Sequence, residues 1–296
     1  MRCIQIDDLH LNWNSLAESL AIIKLSPDLI IVDRLSTKSG WIKRIVSKNT
    51  RIIVFDDNGS GSKFANATIN GILHGQKKRR GLFQGYKFLY LGFPQNLIQS
   101  PIEKSVSKIV VTFGGHDERN LVCFFLESIQ NINFNRMISI TILVRETSDE
   151  KFVKWKLILD QLNSNLIEIS IINNATNFYE IVATADLLIT SGGITVFEAV
   201  ALGRPVIGIP QYLHQLRTLR KLKKLKVVEM GSCSMSLNKE YFMKIFNDIT
   251  SCFIKRQKLS YNCTKLIKRN SSDLVLQIIS KEINVCKKKL FYNFKT

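Results

Sequence analysis

The chain has 296 residues, 45% hydrophobic and 22% charged, with 15 Gly, 5 Pro and a formal net charge of +18. These values argue against a small disulfide scaffold and a long disordered linker, and leave room for two domains of ordinary size or one large α/β unit. The longest apolar runs, such as 137–144, are too short to span a bilayer, and the first residues lack the apolar stretch of a signal peptide, so a soluble cytoplasmic protein is expected.

In chain order, residues 3–6 suit a short strand, 14–24 a helix and 29–32 an apolar strand that runs into Asp33. A second helix–strand unit follows at 40–48 and 51–55, ending in Asp56-Asp57 and a polar turn. Strands that are apolar on both faces and alternate with helices indicate a parallel sheet covered on both sides. The aspartates that close them read as turn or cap residues. Short strands are expected at 67–71 and 88–91, and 100–107 is the linker candidate.

A second α/β series then begins. It places strands at 108–113, 138–144, 167–172, 187–190, 206–209 and 227–230. Helices are expected at 117–129, 151–162, 176–184, 195–202 and 214–224, then at 239–253 and 272–283. The division this suggests is a shortened domain over 1–104 and a larger one over 105–296.

Two strand-to-helix turns carry the chemistry. One is Phe113-Gly114-Gly115-His116-Asp117, with Asn120 three residues on. The other is Ser191-Gly192-Gly193-Ile194-Thr195, with Glu198 about one turn into the helix and Gly203-Arg204-Pro205 beyond it. Glycine lets a ligand approach the backbone, and the free amides of a helix start suit an anion such as phosphate. A carboxylate at Glu198 can accept two hydroxyls, so a phosphate cradle beside a diol acceptor suggests a nucleotide. Alternatively, the paired glycines only let helix and strand pack closely. Asp117 is placed to cap its helix. His116 suits a general acid or base, or a polar loop residue near the ligand. Gln215, at the next strand-to-helix loop, is within reach of a ligand or simply begins a helix.

The six cysteines are widely spaced with no C-x-x-C pair, so reduced thiols are expected. No ligand spacing for a metal occurs, and no metal or cofactor is expected. Basic residues concentrate at 77–80, 217–226 and 287–289. No nucleic-acid-binding motif accompanies them, so no nucleic-acid partner is expected. The 217–226 segment alternates cations with leucines, which suits a packed helix with a solvated basic face, or peripheral contact with a membrane surface.

The pattern G-G-x-D-x-x-N at Gly114–Asn120, together with S-G-G-x-T-x-x-E at Ser191–Glu198, A-L-G-x-P at Ala201–Pro205 and Gln215, resembles a known family. It is that of the UDP-2,4-diacetamido-2,4,6-trideoxy-β-L-altropyranose hydrolases and the related spore-coat polysaccharide glycosyltransferase-like proteins. More distantly, the second half is similar to the lipid-linked N-acetylglucosaminyl transferase of peptidoglycan synthesis. The resemblance implies a GT-B-like fold of two Rossmann-type doubly wound parallel-sheet domains, the N-terminal one incomplete, with a nucleotide sugar bound between them. It also implies that Gly192, Gly193 and Thr195 hold a diphosphate and Glu198 the ribose. Gly114, Gly115, Asp117 and Asn120 would line the sugar-diphosphate side.

The departures lie in the first domain. The family's first strand and its glycine-histidine loop, which bears the proposed catalytic base, have no counterpart. Asp33-Arg34-Leu35 stands in place of aspartate–histidine–tyrosine, and Gln95 and Gln99 in place of a tyrosine and an arginine. The chain therefore reads as shortened by about one βαβ unit, with the catalytic residue unknown. The expected function is hydrolysis of a UDP-linked amino-deoxy sugar for surface polysaccharide or nonulosonic acid synthesis. The alternatives are a UDP-sugar glycosyltransferase and an inactive nucleotide-sugar-binding homologue.

Overall fold

A computed structural model describes residues 12–47, 50–72, 75–94, 96–115, 117–130, 132, 135–145, 149–162 and 166–293; the expected strand 3–6, His116 and Gln95 lie outside these. The chain divides into two compact units, Met1–Gly92 with Asn270–Thr296, and Phe93–Arg269.

In the first unit α1 (Leu16–Leu25), β1 (Leu29–Asp33), α2 (Ser39–Ile45), β2 (Arg51–Phe55), β3 (Ala67–Asn70) and β4 (Leu82–Gln84) build a four-stranded sheet of order β1-β2-β3-β4. All its pairings are parallel. β1 and β2 are runs of branched apolar residues, which suit a sheet buried between helices. Ile30, Val32, Ile52 and Val54 pack with Trp41 and Ile42 of α2 on one face. On the other, Ile53, Ala67 and Ile69 pack with Val275 of the chain's last helix, Ser271–Asn293. The Arg51–Glu282 ion pair and the Leu91 amide on Ser272 Oγ (2.8 Å) also hold that helix here. The division expected from the sequence, 1–104 and 105–296, differs from these units in keeping the last helix with the second domain. Asp57 is a buried turn residue that accepts the amides of Thr37 (3.0 Å) and Gly59 (2.7 Å).

No strand forms at 88–91: a 3₁₀ turn, Tyr86–Phe88, ends at its first residue and 89–91 are irregular, and the strand of this stretch is β4 at Leu82–Gln84. Gly85, at φ +110°, turns the chain out of the strand before the aromatic run begins.

The second unit contains β5 (Lys108–Thr112), α3 (Leu121–Ile129), β6 (Ile138–Val144), α4 (Asp149–Asp160), β7 (Ile167–Asn173), α5 (Phe178–Thr184), β8 (Leu187–Thr190), α6 (Ile194–Ala201), β9 (Val206–Gly208), α7 (Leu213–Lys224), β10 (Glu229–Met230), α8 (Lys239–Ser251) and α9 (Phe253–Leu266); the last helix is α10. Its sheet has the order β10-β9-β8-β5-β6-β7, all parallel. This is the doubly wound order, whose direction of winding reverses between β5 and β8. Asp186 ties those two strands at their start by accepting the amides of Ser107 (2.8 Å) and Lys108 (2.9 Å). The helix expected over 239–253 breaks at Cys252, which is extended (φ −101°, ψ 97°), and α9 continues beyond it.

Candidate functional site

The winding reversal puts the two glycine turns side by side. β5 and β8 are hydrogen-bonded neighbours with Thr112 opposite Thr190, so Gly114-Gly115 and Gly192-Gly193 leave the sheet at adjacent carboxyl ends. In open α/β sheets that crevice is where ligands bind.

Each glycine has its own reason. Gly114 has φ +84°, a left-handed conformation that a side chain disfavours. A Cβ on Gly192 would lie 2.7 Å from the Gln215 carbonyl oxygen and 2.9 Å from its Cβ, so only glycine lets α7 come this close. Gln215 is buried; its Oε1 accepts the Gln211 amide (2.9 Å), while its Nε2 lies 3.7 Å from where a Cβ on Gly193 would stand. Gly193 is the N-cap of α6, and among the described residues no side chain makes a cap bond there. Its first-turn amides therefore open on the crevice with the positive end of the helix dipole.

Ser191 is buried beneath the turn and Thr195 half-buried on the first turn of α6. Glu198 lies further along α6 and is 7% exposed. Its Oε1 accepts the Tyr179 hydroxyl at 2.9 Å, and the Thr195 hydroxyl bonds it too. Burial pushes its carboxyl above the usual carboxylate range, and the Tyr179 and Thr195 hydroxyls pull it part of the way back. Edge-on contacts with Phe93 and Phe178 hold the Tyr179 ring.

The first turn is organised differently. Asp117 spends both oxygens on α3, accepting the Leu121 amide at 2.7 Å and the Val122 amide at 2.9 Å. It is the cap that its position suggests. Asn120 occupies the N-cap position itself, left-handed at φ 52° and without a side-chain cap bond. His116 is outside the described residues.

Sequence reasoning missed the groups that brace these loops. Gln211 Nε2 donates to the Phe113 carbonyl (2.6 Å), and Arg119 donates to the carbonyls of Pro210 (2.8 Å) and Met235. Lys151 Nζ donates to the Asp117 carbonyl at 2.6 Å. Arg145, directly after β6, brings its Cδ within 3.8 Å of where a Cβ on Gly115 would be, adding a cation beside the turn. A basic residue immediately after a strand was the available signal. Thr190 Oγ1 and Gln211 Oε1 are buried with no hydrogen-bond partner among the described residues. By contrast, Arg204 of the Gly203-Arg204-Pro205 segment is structural. It is buried and donates to the carbonyls of Leu202, Ala185 and Ser100, and burial lowers its pKa.

Comparison with known proteins places this arrangement. The pattern of the glycosyltransferase family 28 C-terminal domain matches residues 108–278. The chain is 28% identical over 298 aligned residues to the uncharacterized protein MJ1062 of Methanocaldococcus jannaschii, covering 89% of this chain and 57% of that one. It is 25% identical over 205 residues to the spore coat polysaccharide biosynthesis protein SpsG of Bacillus subtilis, covering 65% and 58%. The chain thus spans less than two thirds of the length of these curated relatives. Among solved structures, Acinetobacter baumannii MurG superposes with a TM-score of 0.66 at 11% identity, covering 89% of this chain and 77% of MurG. That likeness shows the fold, which is GT-B.

Proposed function

The chain belongs to the glycosyltransferase family 28 C-terminal domain family, and from that premise we propose that it binds a UDP-sugar at the carboxyl ends of β5 and β8 and cleaves the bond from sugar to diphosphate. The observation that carries the reading is the pairing of Gly114-Gly115 and Gly192-Gly193 on neighbouring strands, beside the uncapped start of α6. In this reading the α6 amides, with Ser191, Gly192, Gly193 and Thr195, hold the diphosphate. Gly114, Gly115 and Arg145 flank it, and Asn120 and Gln215 border the sugar. Glu198 accepts the ribose hydroxyls. A carboxylate offers about four acceptor sites, and Tyr179 and Thr195 use two, leaving capacity for a diol.

The chemistry such a site favours is departure of the nucleoside diphosphate. Fixed amides aimed at the leaving oxygens stabilise the charge that develops there without reorganising. The attacking group divides two readings. Water fits the resemblance of both glycine motifs to the altropyranose hydrolases; a sugar hydroxyl fits the glycosyltransferase family match. In either case the setting is synthesis of a surface polysaccharide or nonulosonic acid.

The test is calorimetry with UDP on the full chain. Binding is expected, and Glu198→Ala is expected to weaken it by about 1–3 kcal/mol, as loss of a charge-assisted contact does. Equal affinity in the variant would remove Glu198 from the ribose. Release of free sugar from a UDP-sugar, measured with and without an acceptor, then separates the two readings.

We also assign α7 to peripheral contact with an anionic membrane surface. Arg217, Arg220, Lys221 and Lys224 are exposed on it, it carries no acidic residue, and Tyr212 and Leu213 are exposed at its start.

A further inference from the structure

Gln211, in the loop between β9 and α7, connects the two glycine turns. It is 5% exposed. The sheet places β8 between β9 and β5, so the Gln211 side chain spans the carboxyl end of β8 to reach the β5 turn. There its Nε2 donates to the Phe113 carbonyl at 2.6 Å, and Gly114 follows directly. On its other side the Gln211 amide donates to Gln215 Oε1 at 2.9 Å, and the Gln215 backbone lies against Gly192. One unbroken run of contacts, Phe113 to Gln211 to Gln215 to Gly192, thus joins the turns.

Two further links tie the same loops. Arg119 donates to the Pro210 carbonyl, and Glu118 bonds the Tyr212 hydroxyl. Both act at least three residues beyond Gly115, which leaves Gln211, among the described residues, as the link next to Gly114.

Plain packing does not account for a glutamine here. Its Oε1 is buried with no partner among the described residues, and so is the hydroxyl of Thr190, the last residue of β8. A buried acceptor without a donor is a standing cost, and methionine, of similar length, would fill the space without it. What methionine cannot do is donate to Phe113. That bond steadies the entrance to Gly114, a residue that is left-handed at φ +84° and has wide conformational freedom of its own.

We propose that Gln211 is a positioning residue for the diphosphate: it fixes Gly114-Gly115 at the distance from Gly192-Gly193 at which each turn takes one phosphate. The inference rests on the UDP-sugar reading above. Gly193 and Glu198 stand on one helix, so α6 takes the phosphate attached to the ribose and the β5 turn takes the second. A turn fixed before the ligand arrives spares binding the entropy of ordering it. Loss of the Gln211 bond therefore loosens the grip on the second phosphate and leaves the first, with the ribose, as it was.

The test is calorimetry on the full chain with UDP and with UMP, which differ by that second phosphate. Two variants are compared, Gln211→Met and Gln211→Leu. Both delete the donor and differ in shape, so an effect they share belongs to the lost bond and not to packing. The wild type is expected to bind UDP at least ~10-fold tighter than UMP. Each variant is expected to lose ~10-fold in UDP affinity while its UMP affinity stays within about twofold. The melting temperature of Gln211→Met is expected within about 3 °C of the wild type, because the unpartnered Oε1 leaves together with the bond. A merely structural role would lower the melting temperature and weaken both nucleotides together. A wild type that binds neither nucleotide would overturn the UDP-sugar reading and this proposal with it. Wild-type binding with both variants unchanged, with UDP and UMP weakened equally, or with both variants unfolded would overturn the role of Gln211 alone.

Discussion

Glu198 serves two opposed demands. In the ribose role proposed for it, it must be an acceptor, yet it sits almost wholly buried, and burial disfavours its charge. The native state therefore holds the Glu198 proton more tightly than the unfolded chain does. For a carboxyl raised in this way, stability is greatest below its ordinary value of 4.5, declines as pH rises through the window up to the native value, and stays at the lower level above it. Glu198→Gln lacks that titration and still accepts the Tyr179 hydroxyl. Relative to the wild type, its melting temperature is expected to be higher at pH 8 than at pH 4, while its nucleotide affinity falls. A difference that does not change with pH would show that burial does not oppose the charge.

The elements show which local signals were readable. Both glycine turns were visible because the two glycines fall between an apolar strand and a helix pattern. Asp117 was visible as a cap because a short carboxylate precedes an apolar run. Its two bonds to α3 yield a direct prediction: Asp117→Ala should cost about 1–2 kcal/mol locally and speed hydrogen exchange at the Leu121 and Val122 amides. Exchange there at the wild-type rate would mean another group caps the helix. α9 was not readable, for a physical reason. Its inward face is Arg256, Leu259 and Cys263, and no apolar stripe marks it. Arg256 is buried because four carbonyls, those of Ile249, Thr250, Glu103 and Lys104, receive its guanidinium. Acceptors from distant parts of the chain cannot be inferred from the helix itself.

At the scale of the whole molecule, charge is the property that composition announces and structure distributes. Part of it is locally neutralised, as where Lys223 and Lys255 share Glu229. Among the described residues, Arg217, Arg220, Lys221 and Lys224 of α7 are exposed and that helix holds no acidic residue; no described helix is long and apolar enough to cross a membrane. The full chain is expected to sediment with vesicles of anionic phospholipid and not with zwitterionic ones. Binding should weaken as the Debye length falls from about 10 Å at 0.1 M salt to about 3 Å at 1 M. Replacing Arg217, Lys221 and Lys224 by Glu should abolish it, since each cation contributes about 1 kcal/mol near such a surface. Equal binding to both vesicle types would exclude an electrostatic origin.

By itself the sequence determined the α/β class, the parallel sheets, the two glycine turns and the resemblance carried by Gly114–Asn120 and Ser191–Glu198. Those are matters of local pattern, in which residue type and spacing act within one turn or one strand. Only the tertiary structure decided that the turns are neighbours, because adjacency depends on where the winding of the sheet reverses. It alone showed that Tyr179 meets Glu198, that Gln215 closes on Gly192, and that the last helix covers the first sheet. Each of these joins residues remote in sequence or turns on which face a neighbour covers, and the apolar periodicity of one segment carries no record of either.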